Sequence, residues 1–206
     1  MVNMNNFYIP LKQFSVDLNR LQNEIDFFVN PINYQDYGIT TSEKMVDNYD
    51  FRVYTGVSSP DKNGIRRLRT GEFDWDISYW PKVLENSYIK ELADTFSELI
   101  QVYNPRCRMS KLFGSTDWNE IKYHYDEHTP YRIHIALKTT PKTIWRFKEN
   151  GVVKEIHQPA DGVPVLVKTN TIEHSVFIPV GTERVHLWYQ YHHEISNEVL
   201  EKIKNV

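Results

Sequence analysis

The chain changes rhythm near its middle. Over residues 15–29, SVDLNRLQNEIDFFV, apolar side chains recur at Val16, Leu18, Leu21, Ile25 and Phe28. That spacing predicts a helix, with Ser15 placed to cap it. Residues 81–103 read as helix in two parts, PKVLENS and then IKELADTFSELIQVY. In the second part Ile89, Leu92, Phe96, Leu99 and Ile100 form one stripe, and Asn104-Pro105 is the stop signal. Residues 36–80 mix β-like pieces such as FRVYTGV with turn signals such as SSPDKNG.

From Arg106 onward the period falls to two. Strands are predicted at 107–113, 120–126, 131–138, 143–148, 152–157, 164–168, 172–178 and 183–191. Turn residues separate them: Gly114-Ser115, Pro141, Asn150-Gly151, Asp161-Gly162 and Gly181. So many short strands at close spacing predict a fold that is mainly β with flanking helices. The architecture expected is a double-stranded β-helix (jelly-roll, cupin-like) with an N-terminal helical layer. The tail SNEVLEKIKNV reads as a short helix. The expected organisation is a single domain over 1–206: a helical and mixed support region at 1–105, a jelly-roll core at 106–192 and a C-terminal helix at 193–206.

The same alternation sorts the polar residues, because successive strand side chains face opposite sides. His124 and Asp126 share one face; Ile121, Tyr123 and Tyr125 share the other. Arg132 and His134 oppose Tyr131, Ile133, Ile135 and Leu137. His174 lines up with Ile172, Val176 and Ile178. In ERVHLWYQY, Arg184, His186, Trp188 and Gln190 oppose Val185, Leu187, Tyr189 and Tyr191. One such polar face is ordinarily a solvated one. Four strands, each presenting His or Arg, point to a shared polar lumen.

Composition narrows the classes. A formal net charge of −3 gives no field that would draw the chain to nucleic acid or an acidic membrane. The single cysteine, Cys107, excludes a disulfide within the chain and a Cys-based zinc site, and favours a reducing, cytoplasmic setting. The opening MVNMNNFYIP lacks the basic-then-apolar order of a secretory signal, and no apolar run is long enough for a membrane span. The run GIRRLRTGEFDWD at 64–76 reads as a loop with a solvated face rather than a nucleic-acid contact. Tyr54, Trp75, Tyr79 and Trp80 are candidates for either core packing or a pocket wall.

The polar face carries recognisable chemistry. His124-x-Asp126 and His174 together supply two imidazoles and a carboxylate. That set holds non-haem Fe(II) and leaves three coordination positions open. Arg184 follows ten residues after His174, on the next strand. Its fork suits the distal carboxylate of a 2-oxoacid chelating the ion through its keto end, with O₂ at the remaining position. Glu127 and His128 stand beside Asp126 as rival ligands. His157, His192 and His193 read as solvated.

Three pieces extend the pattern: HYD at 124–126, RIHIALKTTP at 132–141, and NTIEHSVFIPVGTERVHLWYQYH at 170–192. With these in order, the segment from Ser110 to Tyr191 resembles the aspartyl/asparaginyl β-hydroxylase family of Fe(II)/2-oxoglutarate-dependent dioxygenases, which includes free-proline hydroxylases. Residues 1–100 carry no such resemblance. It implies His124, Asp126 and His174 as iron ligands and Arg184 as the clamp on the distal carboxylate of 2-oxoglutarate. Ser110 would share that carboxylate, and Arg132 and His134 would lie near the other end of the cosubstrate. It further implies hydroxylation of an unactivated C–H bond, using Fe(II), 2-oxoglutarate and O₂. The substrate would be amino-acid-like, either free or as Asp, Asn or Pro within a peptide. The Ser110–His124 spacing is longer than the family's and the His124–Arg132 spacing shorter, which leaves the orientation of Arg132 open. Two other readings use the same barrel: a cupin-like metal enzyme without 2-oxoglutarate, and a non-catalytic binding module.

Overall fold

The computed structural model describes residues 7–31, 35–39 and 80–205. The readings for Tyr54, Trp75, Tyr79 and the arginine-rich run at 64–76 lie outside them. Ten strands are present among the described residues: β1 (Tyr8–Pro10), β2 (Gln35–Gly38), β3 (Arg106–Phe113), β4 (Glu120–His124), β5 (Tyr131–Lys138), β6 (Ile144–Glu149), β7 (Val152–Ile156), β8 (Val165–Lys168), β9 (Glu173–Phe177) and β10 (Glu183–Tyr191). The last eight match the predicted strands to within two residues at each end. The first two were not anticipated. They come from the half expected to be helical and mixed, and are too short to show a period.

All pairings are antiparallel. A six-stranded sheet runs β1-β8-β5-β10-β3-β2 and a four-stranded sheet runs β4-β9-β6-β7. From β3 onward the chain crosses between sheets at almost every turn, the exception being the β6–β7 hairpin. That hairpin turns on Asn150 (φ 50) and Gly151 (φ 78), two positive-φ residues whose twist matches the flanking strands. Two facing sheets traced by alternating strands make a double-stranded β-helix, or jelly roll.

Helices cover the outer face of the larger sheet. α1 (Leu18–Glu24) begins at Asp17, whose side chain accepts from the Arg20 amide, so the cap is Asp17 and not Ser15. The helix then loosens into one π turn over Ile25–Val29. α2 (Tyr88–Ile100) is capped by Ser87 and stops at Gln101, in the left-handed region at φ 56, before reaching Asn104-Pro105. Its apolar stripe lies on the sheet: Phe96 meets Tyr189 edge-on at 5.6 Å, and the Tyr189 hydroxyl donates to the Ile89 carbonyl at 2.7 Å. α3 (Asn197–Lys204), capped by Ser196, adds Val199 and Ile203 to the same layer. Trp80 packs there too, so it serves core packing and does not wall the lumen. No described helix is long and apolar enough to cross a membrane.

Alternation gives the larger sheet two unlike faces. Cys107, Met109, Ile133, Ile135, Leu187, Tyr189 and Tyr191 point outward into the helical layer. The inward side meets the smaller sheet through a second apolar cluster that includes Leu112, Val165 and Val167 from one sheet and Trp145, Phe147 and Val176 from the other. The polar residues of β3, β5 and β10 point into the space beside that cluster.

Candidate metal centre

Two of the three expected ligands are cross-strand neighbours. His124 at the end of β4 pairs directly with His174 on β9, and their ring centroids are 4.3 Å apart. The register slips between Ile121 and His124, so three residues on β4 span two on β9. This bulge corrects the strict alternation expected from the sequence. Ile121 packs with the inner apolar cluster, and His124 still points inward. Asp126 lies past the end of β4 and not within it. Its amide donates to the Thr169 carbonyl at 3.0 Å, and its carbonyl accepts from the Thr129 amide at 2.9 Å. Asp126 therefore opens a turn, and pinning that turn to Thr169 directs its carboxylate inward. Glu127 and His128 are exposed, which leaves Asp126 as the carboxylate on the inner side.

His124, Asp126 and His174 each offer one ligand atom, and these atoms lie within 4.8 Å of one another. Both rings are oriented in the same way. His124 Nδ1 is 2.8 Å from the Lys122 carbonyl and His174 Nδ1 is 3.1 Å from the Ile172 carbonyl. With the Nδ1 hydrogens donated to backbone, each Nε2 carries its lone pair toward the carboxylate. The separations are 3.7 Å from His124 Nε2 to Asp126 Oδ1 and 3.5 Å from His174 Nε2 to Asp126 Oδ2. Adjacent ligands on one ion at bond lengths of about 2.1 Å sit about 3 Å apart, so small adjustments would seat a metal. Two imidazoles and one carboxylate fit a divalent transition metal with open positions, ferrous iron foremost.

The electrostatics suit a cation. Burial alone would raise the Asp126 carboxyl, but the charge of Arg132, followed by the proximity of His174, outweighs it and holds it well below the usual carboxylate range. The contact is close: Arg132 Nη2 lies 2.7 Å from Asp126 Oδ1. Arg132, expected near the cosubstrate, is thus engaged with the carboxylate ligand. Burial, followed by the proximity of His174, pulls His124 below its ordinary value, which favours the neutral ring a metal needs.

Around this centre the lumen holds the other expected residues. Arg184 is buried at 2 % exposure; its Nη1 is 3.5 Å from Ser110 Oγ and its guanidinium lies 5.3 Å from the Trp145 ring. Trp145 in turn stacks near His174 at 6.2 Å, so one indole separates the arginine from a candidate ligand. His134 packs against Trp145 at 4.8 Å and Trp188 at 5.8 Å, and neither of its ring nitrogens has a hydrogen-bond partner. Burial, then Arg132 and Arg184, hold it well below the ordinary histidine value.

His186 belongs to the same group. It faces Ser110 across the β3–β10 ladder, is 1 % exposed, and leaves Nδ1 without a partner. Burial, then Arg184 and His134, keep it neutral. The indole nitrogens of Trp145 and Trp188 are likewise buried and unmet. His186, Trp188 and Gln190 share Arg184's face in the sequence pattern, but nothing in that pattern marks them as more than neighbours. Trp145 comes from the opposite sheet and carried no signal. His157 is half-buried, with Nδ1 3.1 Å from the Thr143 carbonyl, and lies outside the centre.

No protein-family model matches the chain, and no curated protein matches it. Several solved structures are similar in shape. An oxidoreductase of the 2OG-Fe(II) oxygenase family from Burkholderia pseudomallei is 15% identical with a TM-score of 0.47, over 87% of this chain and 79% of that one. A prolyl-4-hydroxylase from Pseudomonas putida is 13% identical with a TM-score of 0.42, over 53% and 68%. Vicilin from hazelnut, Corylus avellana, is 8% identical with a TM-score of 0.35, over 48% and 27%. Likenesses this distant carry no weight on chemistry, which rests on the residues themselves.

Proposed function

We propose that the chain is an Fe(II)- and 2-oxoglutarate-dependent oxygenase that hydroxylates an unactivated C–H bond of an amino-acid-like substrate. The observation that carries this reading is one juxtaposition. His124, Asp126 and His174 gather their ligand atoms within 4.8 Å, and Arg184 stands beyond Trp145 with Ser110 at its side. When bound, ferrous iron with 2-oxoglutarate supplies the O₂-activating chemistry, with succinate and CO₂ as co-products.

The chain's own residues do the rest. His124 and His174 turn their Nε2 atoms toward the ion, because backbone carbonyls take their Nδ1 hydrogens. Arg132 offsets the charge of Asp126. Arg184 and Ser110 receive the distal carboxylate, and His186 and the Trp145 indole add donors beside it. A guanidinium and a hydroxyl that meet at 3.5 Å leave room for a carboxylate oxygen to draw both closer. Trp145, Phe147 and Trp188 wall the lumen and limit water around the ion. The amino-acid-like substrate, free or as Asp, Asn or Pro in a peptide, follows from the resemblance to the aspartyl/asparaginyl β-hydroxylases.

An anaerobic titration tests the reading. Fe(II) is added to the full chain, then 2-oxoglutarate, and the metal-to-ligand charge-transfer band is followed in the visible spectrum. The band is the expected result. Metal binding without it overturns the 2-oxoglutarate assignment in favour of a metal enzyme of another kind on this barrel. Absence of metal binding overturns the oxygenase.

A further inference from the structure

How Asp126 is held determines how many of its oxygens an ion can reach. Oδ1 is engaged by Arg132 Nη2 at 2.7 Å. Oδ2 is buried without a hydrogen-bond partner and faces His174 Nε2 at 3.5 Å. A carboxylate oxygen left unmet in a buried site carries an uncompensated desolvation cost, which a bound cation would relieve.

Arg132 is held in its turn. Gln190 sits directly opposite it across the β5–β10 ladder and is 3 % exposed. With its amide oxygen toward the guanidinium, Gln190 accepts from Arg132 Nη2 at 2.9 Å and from Nε at 3.2 Å. Two bonds to one edge of a planar fork fix both its position and its plane. The result is a line of contacts from Gln190 through Arg132 to Oδ1, the carboxylate oxygen that also lies 3.7 Å from His124 Nε2.

We propose that Gln190, acting through Arg132, is a positioning residue that keeps Asp126 Oδ1 occupied and presents Oδ2 alone to the metal ion. The inference rests on the metal centre of the preceding reading, but not on the identity of the cosubstrate. Its consequence is a coordination count. A carboxylate binding through both oxygens would fill a fourth position of an octahedral ion, leaving room for a chelating ligand or O₂ but not both. Binding through one oxygen keeps three positions open. Gln190 lies outside the metal-ligand pattern, and its part is visible only once β5 and β10 are paired.

The test uses Mn(II) as the probe on the full chain, read by electron paramagnetic resonance. Titration gives the affinity, and line broadening in ¹⁷O-enriched water counts the water ligands. The wild-type chain is expected to hold three exchangeable waters. Gln190→Leu is expected to bind Mn(II) about tenfold or more weakly, the usual cost of losing an outer partner of a metal ligand, with the unfolding midpoint of the metal-free chain little changed. Gln190→Glu keeps an acceptor at the same reach and is expected to restore affinity close to wild type. If Gln190→Leu does not fold, Gln190→Met, closer in shape, is read in its place.

Two or fewer waters on the wild-type ion overturn the single-oxygen geometry. Wild-type affinity in Gln190→Leu, or a folded Gln190→Glu that binds as weakly as Gln190→Leu, overturns the role of Gln190. Failure of the wild-type chain to bind Mn(II) at all strikes the metal centre, and this inference falls with it. Neither readout depends on 2-oxoglutarate, so the charge-transfer experiment can fail without touching this one.

Discussion

The two faces of the larger sheet are built from alternate residues of the same strands, and both are buried. On β10, Leu187, Tyr189 and Tyr191 point out to the helices while Arg184, His186, Trp188 and Gln190 point into the lumen, and none of the seven exceeds 7 % exposure. What separates the faces is how far their polar atoms are satisfied. Outward, the Tyr189 hydroxyl donates to Ile89, and the Tyr191 hydroxyl is the one atom left unmet among these residues. Inward, both nitrogens of His134, one of His186 and the Trp188 indole nitrogen lack partners. A folded chain does not leave so many buried donors and acceptors idle without cost, each worth about 1–3 kcal/mol. Among these residues the outer face leaves one such atom unmet and the inner face four.

The sharpest way to break this contrast is at the ligands. His174→Ala should lower Fe(II) affinity by more than about a hundredfold, beyond the loss an outer partner causes, while the metal-free chain still melts cooperatively. Calorimetric titration beside a thermal melt checks both. A matched pair comes next. Arg184→Met should weaken 2-oxoglutarate binding about a hundredfold, since truncating one side of a buried charge pair costs about 2–5 kcal/mol. Leu187→Ala, three residues along and facing the other way, should instead cost about 2–5 kcal/mol of stability and leave the affinity of the folded chain unchanged. If both variants lose stability and binding alike, the division between the faces fails.

His186→Phe sharpens the comparison further. It should raise the KM for 2-oxoglutarate about tenfold with kcat largely kept, because one hydrogen bond to a charged group is lost. The metal-free variant should be at least as stable as wild type, since an unmet buried nitrogen has been replaced by an apolar ring of similar size. The smallest effect is on pH. His134 and His186 are held below their ordinary value of 6.5, so the folded chain does not take up protons that the unfolded chain does. Their contribution to stability is full above about pH 6.5 and is lost as pH falls toward their folded values. Melting midpoints of the metal-free chain should therefore fall from pH 7 to pH 5, and less steeply in His186→Phe.

Much of the scaffold was legible because period two is a local property. Eight strands followed from it, and so did the inward set of Arg132, His134, His174 and Arg184. Two features lay beyond local pattern. The bulge before His124 and the turn that carries Asp126 depend on pairing with β9 and on the contact with Thr169, partners some fifty and forty residues distant. The strands β1 and β2 are three and four residues long and exist only because β8 and β3 offer free edges. The Ser15 cap failed for a related reason: Asp17 stands one residue before the first helical turn, where its carboxylate reaches the Arg20 amide.

Alternation along β5, β9 and β10 determined that Arg132, His134, His174 and Arg184 face inward, and residue type determined that imidazoles and guanidiniums would be among the inward groups. Those are properties of one chain segment at a time. Which inward residues meet was decided by strand pairing. His124 came to lie beside His174, Gln190 beside Arg132, and His186 beside Ser110. Such pairings join residues far apart in sequence, and their register is set by the packing of two whole sheets, which no local pattern contains.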